Sequence, residues 1–168
     1  MKFYIKQKVF SLTKEFSIYD EKEAIQYQVS GKFMSLHNKL ELRDSHEKTL
    51  LRAERPIFSF RPQYTIFDMN DQPRALIKKR FSLFQRFTVE VQGRVCEVEG
   101  NFTAHQFQIL DQGRQIVSIS KKWFTWGDTY EIDIVNENEA PLWLFLVIVI
   151  DQIYEAQASS AAAASSSN

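Results

Sequence analysis

The chain has 168 residues, with 21 basic and 21 acidic side chains, so it is one domain's worth of sequence with no general attraction for nucleic acid or anionic membrane. Fourteen Phe, six Tyr and three Trp beside only five Gly and four Pro exclude a disordered or fibrous chain and point to a packed, aromatic-rich β protein. A single cysteine, Cys96, excludes an internal disulfide and suits a reducing compartment.

Met1 to Lys8 lacks the apolar run of a secretory signal, and no stretch reaches the ~20 apolar residues of a membrane-spanning helix, so a cytoplasmic protein is expected. Phe3 to Val9 reads as a first strand. Phe16 to Asp20 then pairs with Ala24 to Val29, Leu40 to Asp44 with Thr49 to Glu54, and Tyr64 to Asp68 with Ala75 to Lys79. The aspartates that lead the three turns, Asp20, Asp44 and Asp68, are 24 residues apart, which marks an internal repeat of strand, Asp-led turn, strand. Phe87 to Gln92 turns at Gly93 into Arg94 to Glu99, and Gln106 to Leu110 turns through Asp111-Gln112-Gly113 into Gln115 to Lys121. Thr129 to Ile134 alternates cleanly and brings the total to about twelve strands, each with one apolar face.

Leu142, Trp143, Leu144, Phe145, Leu146, Val147, Ile148, Val149 and Ile150 then follow without a polar residue. A segment apolar on every side has to be enclosed on every side. The β-branched residues from Val147 to Ile150 favour a strand. The flanks favour a helix over 140–156, because Asn138 suits an N-cap, Glu139 puts negative charge in the first turn, and Pro141 is tolerated there. From Ala158 to Asn168 there is only Ala and Ser before the final Asn, which reads as a disordered tail over 157–168 after a single domain over 1–156, with a short helical extension as the alternative.

Twelve half-buried antiparallel strands and one all-round apolar helix predict a mostly β fold, a closed antiparallel barrel around a C-terminal hydrophobic helix. Closure removes exposed edges, and a twelve-stranded barrel is wider than the eight strands whose side chains just fill it. A two-sheet sandwich with the helix on one face is the rival.

The Asp-ended hairpins, the segment Lys121-Lys122-Trp123-Phe124-Thr125-Trp126-Gly127-Asp128-Thr129-Tyr130-Glu131-Ile132 and the ending Leu146-Val147-Ile148-Val149-Ile150-Asp151-Gln152-Ile153, in that order, resemble the LURP-one-related family from about Met1 to Glu155. The resemblance implies a twelve-stranded barrel around a central hydrophobic helix, shared with tubby C-terminal domains and proposed for phospholipid scramblases. It also implies, by analogy of fold alone, a tethering role at phosphoinositide-containing or other anionic membranes.

No catalytic signature accompanies this pattern. His37, His46 and His105 lack metal-ligand spacing and read as turn or surface residues. Asp68-Met69-Asn70-Asp71-Gln72 starts like a calcium loop, but Pro73 stands where Gly is needed and Lys79 where Glu is needed. Cys96 alternates with Val98 on a core-facing side, and Glu90, Glu97, Glu99, Glu131 and Asp133 alternate with apolar partners as on a solvated face. A non-enzymatic protein with no metal and no cofactor is expected.

Two basic clusters beside aromatics remain: Lys78, Lys79, Arg80 and Arg86 around Phe81 and Phe84, and Lys121 and Lys122 beside Trp123 and Trp126. Such groups suit an anionic lipid headgroup and a peripheral position at a membrane. The plainer reading is solvated strand ends with aromatics covering a barrel rim. An interaction domain for an unknown protein partner is the alternative function, a lipid carrier is disfavoured because the helix takes up the lumen, and no nucleic-acid motif is present.

Overall fold

The computed structural model describes residues 1–8, 14–32, 39–55, 63–80, 86–102, 104–124 and 127–165. Within them, alternating segments form twelve strands: β1 (Lys2–Lys8), β2 (Lys14–Tyr19), β3 (Ile25–Lys32), β4 (Lys39–Asp44), β5 (Thr49–Glu54), β6 (Gln63–Asp68), β7 (Pro73–Arg80), β8 (Arg86–Val91), β9 (Arg94–Asn101), β10 (Gln106–Asp111), β11 (Arg114–Phe124) and β12 (Gly127–Ile134). Each strand pairs antiparallel with its sequence neighbour, and β1 pairs with β12 through registers such as Phe3↔Ile132 and Ile5↔Tyr130, which closes the sheet. The barrel is therefore the architecture, and the sandwich is not.

The 24-residue repeat is built by one turn used three times. The amides of Asp20, Asp44 and Asp68 donate to the carbonyls of Ala24, Lys48 and Gln72, and each aspartate Oδ1 accepts from the backbone amides two and four residues on, at 2.8–3.0 Å. The residue two before the return strand, Glu23, Glu47 or Asp71, takes a positive φ of 61–63°, a conformation that non-glycine residues seldom adopt. The aspartate side chain offsets that strain by satisfying amides that a two-residue hairpin would leave unpaired. A register shift follows at the same place in each copy, at Ile18/Tyr19, Leu42/Arg43 and Ile66/Phe67, and such bulges add twist where the sheet must curve. The carboxyls of Asp20 and Asp68 lie below their ordinary value, chiefly because the amides of Ala24 and Gln72 bond to the charged form.

Two glycines are required by closeness. At Gly31 (φ 153°) a Cβ would fall 2.2 Å from the Lys39 carbonyl oxygen, and at Gly100 (φ 143°) 2.4 Å from that of Gln106. Only glycine lets β3 approach β4, and β9 approach β10, so tightly.

Inside the barrel runs α1 (Ala140–Ser165). Its residues from Leu142 to Ile150 are all buried, none more than 7% exposed. They pack against inward residues of every strand, among them Ile18, Leu42, Ile66, Val89, Ile109 and Ile132. The dimensions agree: twelve strands spaced ~4.8 Å and tilted ~40° make a ring roughly 24 Å across. Inward side chains narrow it toward the ~10–12 Å diameter of a helix with its side chains. Among the described residues no helix is long and apolar enough to cross a membrane.

Two expectations are corrected at the helix ends. The capping residue is Asn136, not Asn138; its side chain accepts from the Asn138 amide and opens a 3-10 turn over Glu137–Glu139 that leads into Ala140. The helix also runs on through Ser165 instead of stopping near Ala156. Alanine has the highest helix propensity, and adding turns to an existing helix avoids the nucleation cost that would disfavour this segment alone.

Phe145→Ala, at a fully buried side chain, is expected to cost about 3–5 kcal/mol, read from urea midpoints. Val147→Asp, which places an unpaired carboxylate in the core, is expected to abolish the cooperative transition.

Candidate anion-binding rim

Antiparallel order fixes which connections share an end of the barrel. The turns led by Asp20, Asp44 and Asp68, with those at Gly93 and Gly113, lie at one end. The β7–β8 and β11–β12 junctions lie together at the other, so both predicted basic clusters belong to one rim. They are not adjacent on it. β9 and β10 stand between β8 and β11, a separation of roughly 14 Å for three strand spacings.

Register places Lys78 opposite Thr88, Lys79 opposite Phe87, Arg80 opposite Arg86, Lys121 opposite Tyr130 and Lys122 opposite Thr129. The Lys78 ammonium bonds Glu90 Oε1 at 2.6 Å, with both side chains about 40% exposed. The side chains of Lys79, Arg80, Arg86, Lys121, Lys122 and Trp123, and all of Phe81, Phe84 and Trp126, lie outside the described residues.

The same rim carries basic residues that the cluster search passed over. Lys6 and Lys8 end β1, Lys14 begins β2, Lys32 ends β3 and Lys39 begins β4. Lys6 lies over the Tyr19 ring, 4.8 Å from its centroid, and Lys39 pairs with Glu54 at 3.0 Å. Each is a single lysine at a strand end, so only the folded topology gathers them. Two register pairs set like charges directly opposite each other, Lys32↔Lys39 and Arg80↔Arg86. Such pairs are unfavourable in a sheet unless a third charge offsets them, as Glu54 does for Lys39, and the two lie about a third of the way round the rim from each other.

The far rim is different. Glu21, Glu23 and Glu47 are exposed in its turns beside the turn aspartates, interspersed with exposed Lys22, Lys48, Arg74 and Arg114. There Arg94 bridges Asp111 at 3.4 Å and Glu139 at 3.0 Å, and Glu139 also accepts from the Trp143 indole at 3.1 Å, which ties the start of the helix to the wall. At the basic rim the tie is His105, whose Nδ1 lies 2.8 Å from Asp151 Oδ1, with its ring tilted on Tyr130 at 4.9 Å. His105 is thus a turn residue, as expected, and at the same time a partly buried contact to the helix. Beside it a void of about 20 Å³, lined mainly by Ile5, Phe16, Phe107, Ile119 and Val147, has room for no more than a water.

No group of three potential metal ligands occurs among the described residues. Glu131 pairs with Lys2 at 3.2 Å and Asp133 with the N-terminal amine at 3.4 Å. Cys96 is fully buried, and burial first, then the charge of Asp111, pushes its thiol up to about 11.

Fold and rim together define a closed, helix-filled barrel with one basic end. The chain belongs to the LURP-one-related family, whose model it matches over residues 1–151. It is 32% identical over 150 residues to the uncharacterized protein YxjI of Bacillus subtilis (strain 168), covering 89% of this chain and 91% of that protein. An X-ray structure of an Arabidopsis thaliana protein superposes with a TM-score of 0.61 at 15% identity, covering 89% of this chain and 90% of the other, and supports the fold alone. Neither the family description nor the Bacillus protein's name states an enzymatic activity.

A buried thiol with a raised pKa favours the folded state below its unfolded value of 9.0, and that contribution is lost as pH climbs toward about 11. At pH 9 iodoacetamide should therefore label Cys96 readily in urea and scarcely in the native protein, read by mass spectrometry; fast native labelling contradicts the buried assignment.

Proposed function

We propose that this barrel is a non-enzymatic module that docks on anionic phospholipid surfaces through its basic rim. The observation that carries the reading is the gathering of basic residues at the strand ends of one rim, where Lys6, Lys32, Lys39, Lys78, Lys79, Arg80, Arg86, Lys121 and Lys122 lie. The overall neutrality of the chain does not oppose this, because a local patch is enough. The aromatic residues of both clusters suit the interfacial zone where lipid headgroups meet water, and membership of a family likened to tubby domains adds support by analogy.

Each Lys or Arg near an anionic surface contributes about 1 kcal/mol, so Lys78→Glu/Lys79→Glu/Lys121→Glu/Lys122→Glu should weaken binding by roughly a thousandfold or more. Flotation with mixed phosphatidylcholine–phosphatidylserine vesicles at ~0.01 M salt, where the screening length is ~30 Å, is expected to carry the parent protein and leave the variant behind. Equal flotation of the two removes the reading, and binding only to a protein partner would favour an interaction domain instead.

A further inference from the structure

On the outer wall of β7, β8 and β9, near the Asp68 and Gly93 turns, lies a shallow depression of about 340 Å³. Pro73, Leu76 and Val95 give it apolar sides, Gly93 leaves it open where a side chain would stand, and Arg74 and Glu90 flank it. Strand alternation explains the face. Ala75, Ile77, Val89, Val91 and Cys96 are buried in the core, so Leu76, Glu90 and Val95, paired in one row across the three strands, point outward. Val95 is 58% exposed, more than any other large apolar residue on the described strands.

The charges beside these residues are of both signs and are placed to match a copy of themselves. Arg74 lies two residues along β7 from Leu76, which is opposite Glu90, so at ~3.4 Å per residue and ~4.8 Å per strand Arg74 and Glu90 stand about 8 Å apart on the wall. For two such walls to meet face to face, a two-fold axis has to lie in the plane of contact, and the axis that exchanges Arg74 with Glu90 passes beside Leu76. It sets Leu76 on Leu76 of the second copy, Arg74 on its Glu90 and Val95 on its Pro73, and each contact is returned. We propose that this face is a homodimer interface whose occupant is a second copy of the chain. Arg74 and Glu90 each have a partner in their own chain, Asp68 at 3.5 Å and Lys78 at 2.6 Å. Association therefore joins two ion pairs into a row of alternating sign and strands no bare charge. A partner of one charge sign would meet one group that attracts it and one that repels it, which favours the self-complementary occupant. The wall of a barrel is convex, so contact is a strip smaller than the ~800 Å² per partner of a standard interface, and the dimer is weak, with a Kd of about 10–100 μM. The surface lies away from the basic rim and stands whatever that rim binds.

The test is sedimentation equilibrium of the full chain from ~1 to ~300 μM at ~0.15 M salt, across which the parent should pass from monomer to dimer. Arg74→Glu and Glu90→Arg each turn two attractions into two repulsions and should weaken the dimer roughly tenfold or more, whereas Arg74→Glu/Glu90→Arg, which reverses the pair, should associate more tightly than either. Val95→Asp should also weaken it roughly tenfold or more. These side chains are exposed, so unchanged melting curves are expected and separate loss of the interface from loss of the fold. A parent still monomeric at ~300 μM overturns the proposal. So does a dimer that Val95→Asp leaves intact, or a reversed double variant that associates no more tightly than the single ones.

Discussion

Everything in this molecule follows from the need to enclose a helix with no polar side. An amphipathic helix can lie on a sheet and give its other face to water, whereas Leu142 to Ile150 have no face to give. A sheet closed on itself supplies apolar contact through a full turn, and twelve strands is the width at which the bore admits a helix. The polar ties at either end of the buried segment, Glu139 to Arg94 and Asp151 to His105, set its depth in the wall. Apolar contact alone would let the rod slide.

The fold was legible because its two main signals are strong and mutually dependent. Strict alternation makes strands, the 24-residue recurrence of Asp20, Asp44 and Asp68 makes hairpins, and the apolar run demands enclosure. What was not legible lies at the ends of elements. Asn136 and Asn138 are chemically alike as caps, and only the 3-10 turn between them decides for the former. Ala and Ser beyond Ala156 cannot bury a core of their own, which reads as disorder until a helix already formed carries them along.

The rim was only half visible for a related reason. Lys78–Arg86 and Lys121–Lys122 are contiguous in sequence and draw the eye, whereas Lys6, Lys32 and Lys39 are single residues that look like ordinary strand termini. Their convergence at one end of the barrel is a property of topology. His105 shows the same limit: its spacing excluded a metal site, but its partner Asp151 lies 46 residues away and only the closed barrel brings them together.

The seam where β1 meets β12 has a consequence for how the chain reaches this state. It joins Lys2 to Asp133, positions separated by nearly the whole barrel sequence, and the rod that fills the bore is made later still. Until both have left the ribosome, eleven strands can pair locally but must hold an open greasy trough with two bare margins. Such non-local closure is slow and leaves nascent chains prone to clumping. Closure is thus an all-at-once event that waits for β12 and α1 together.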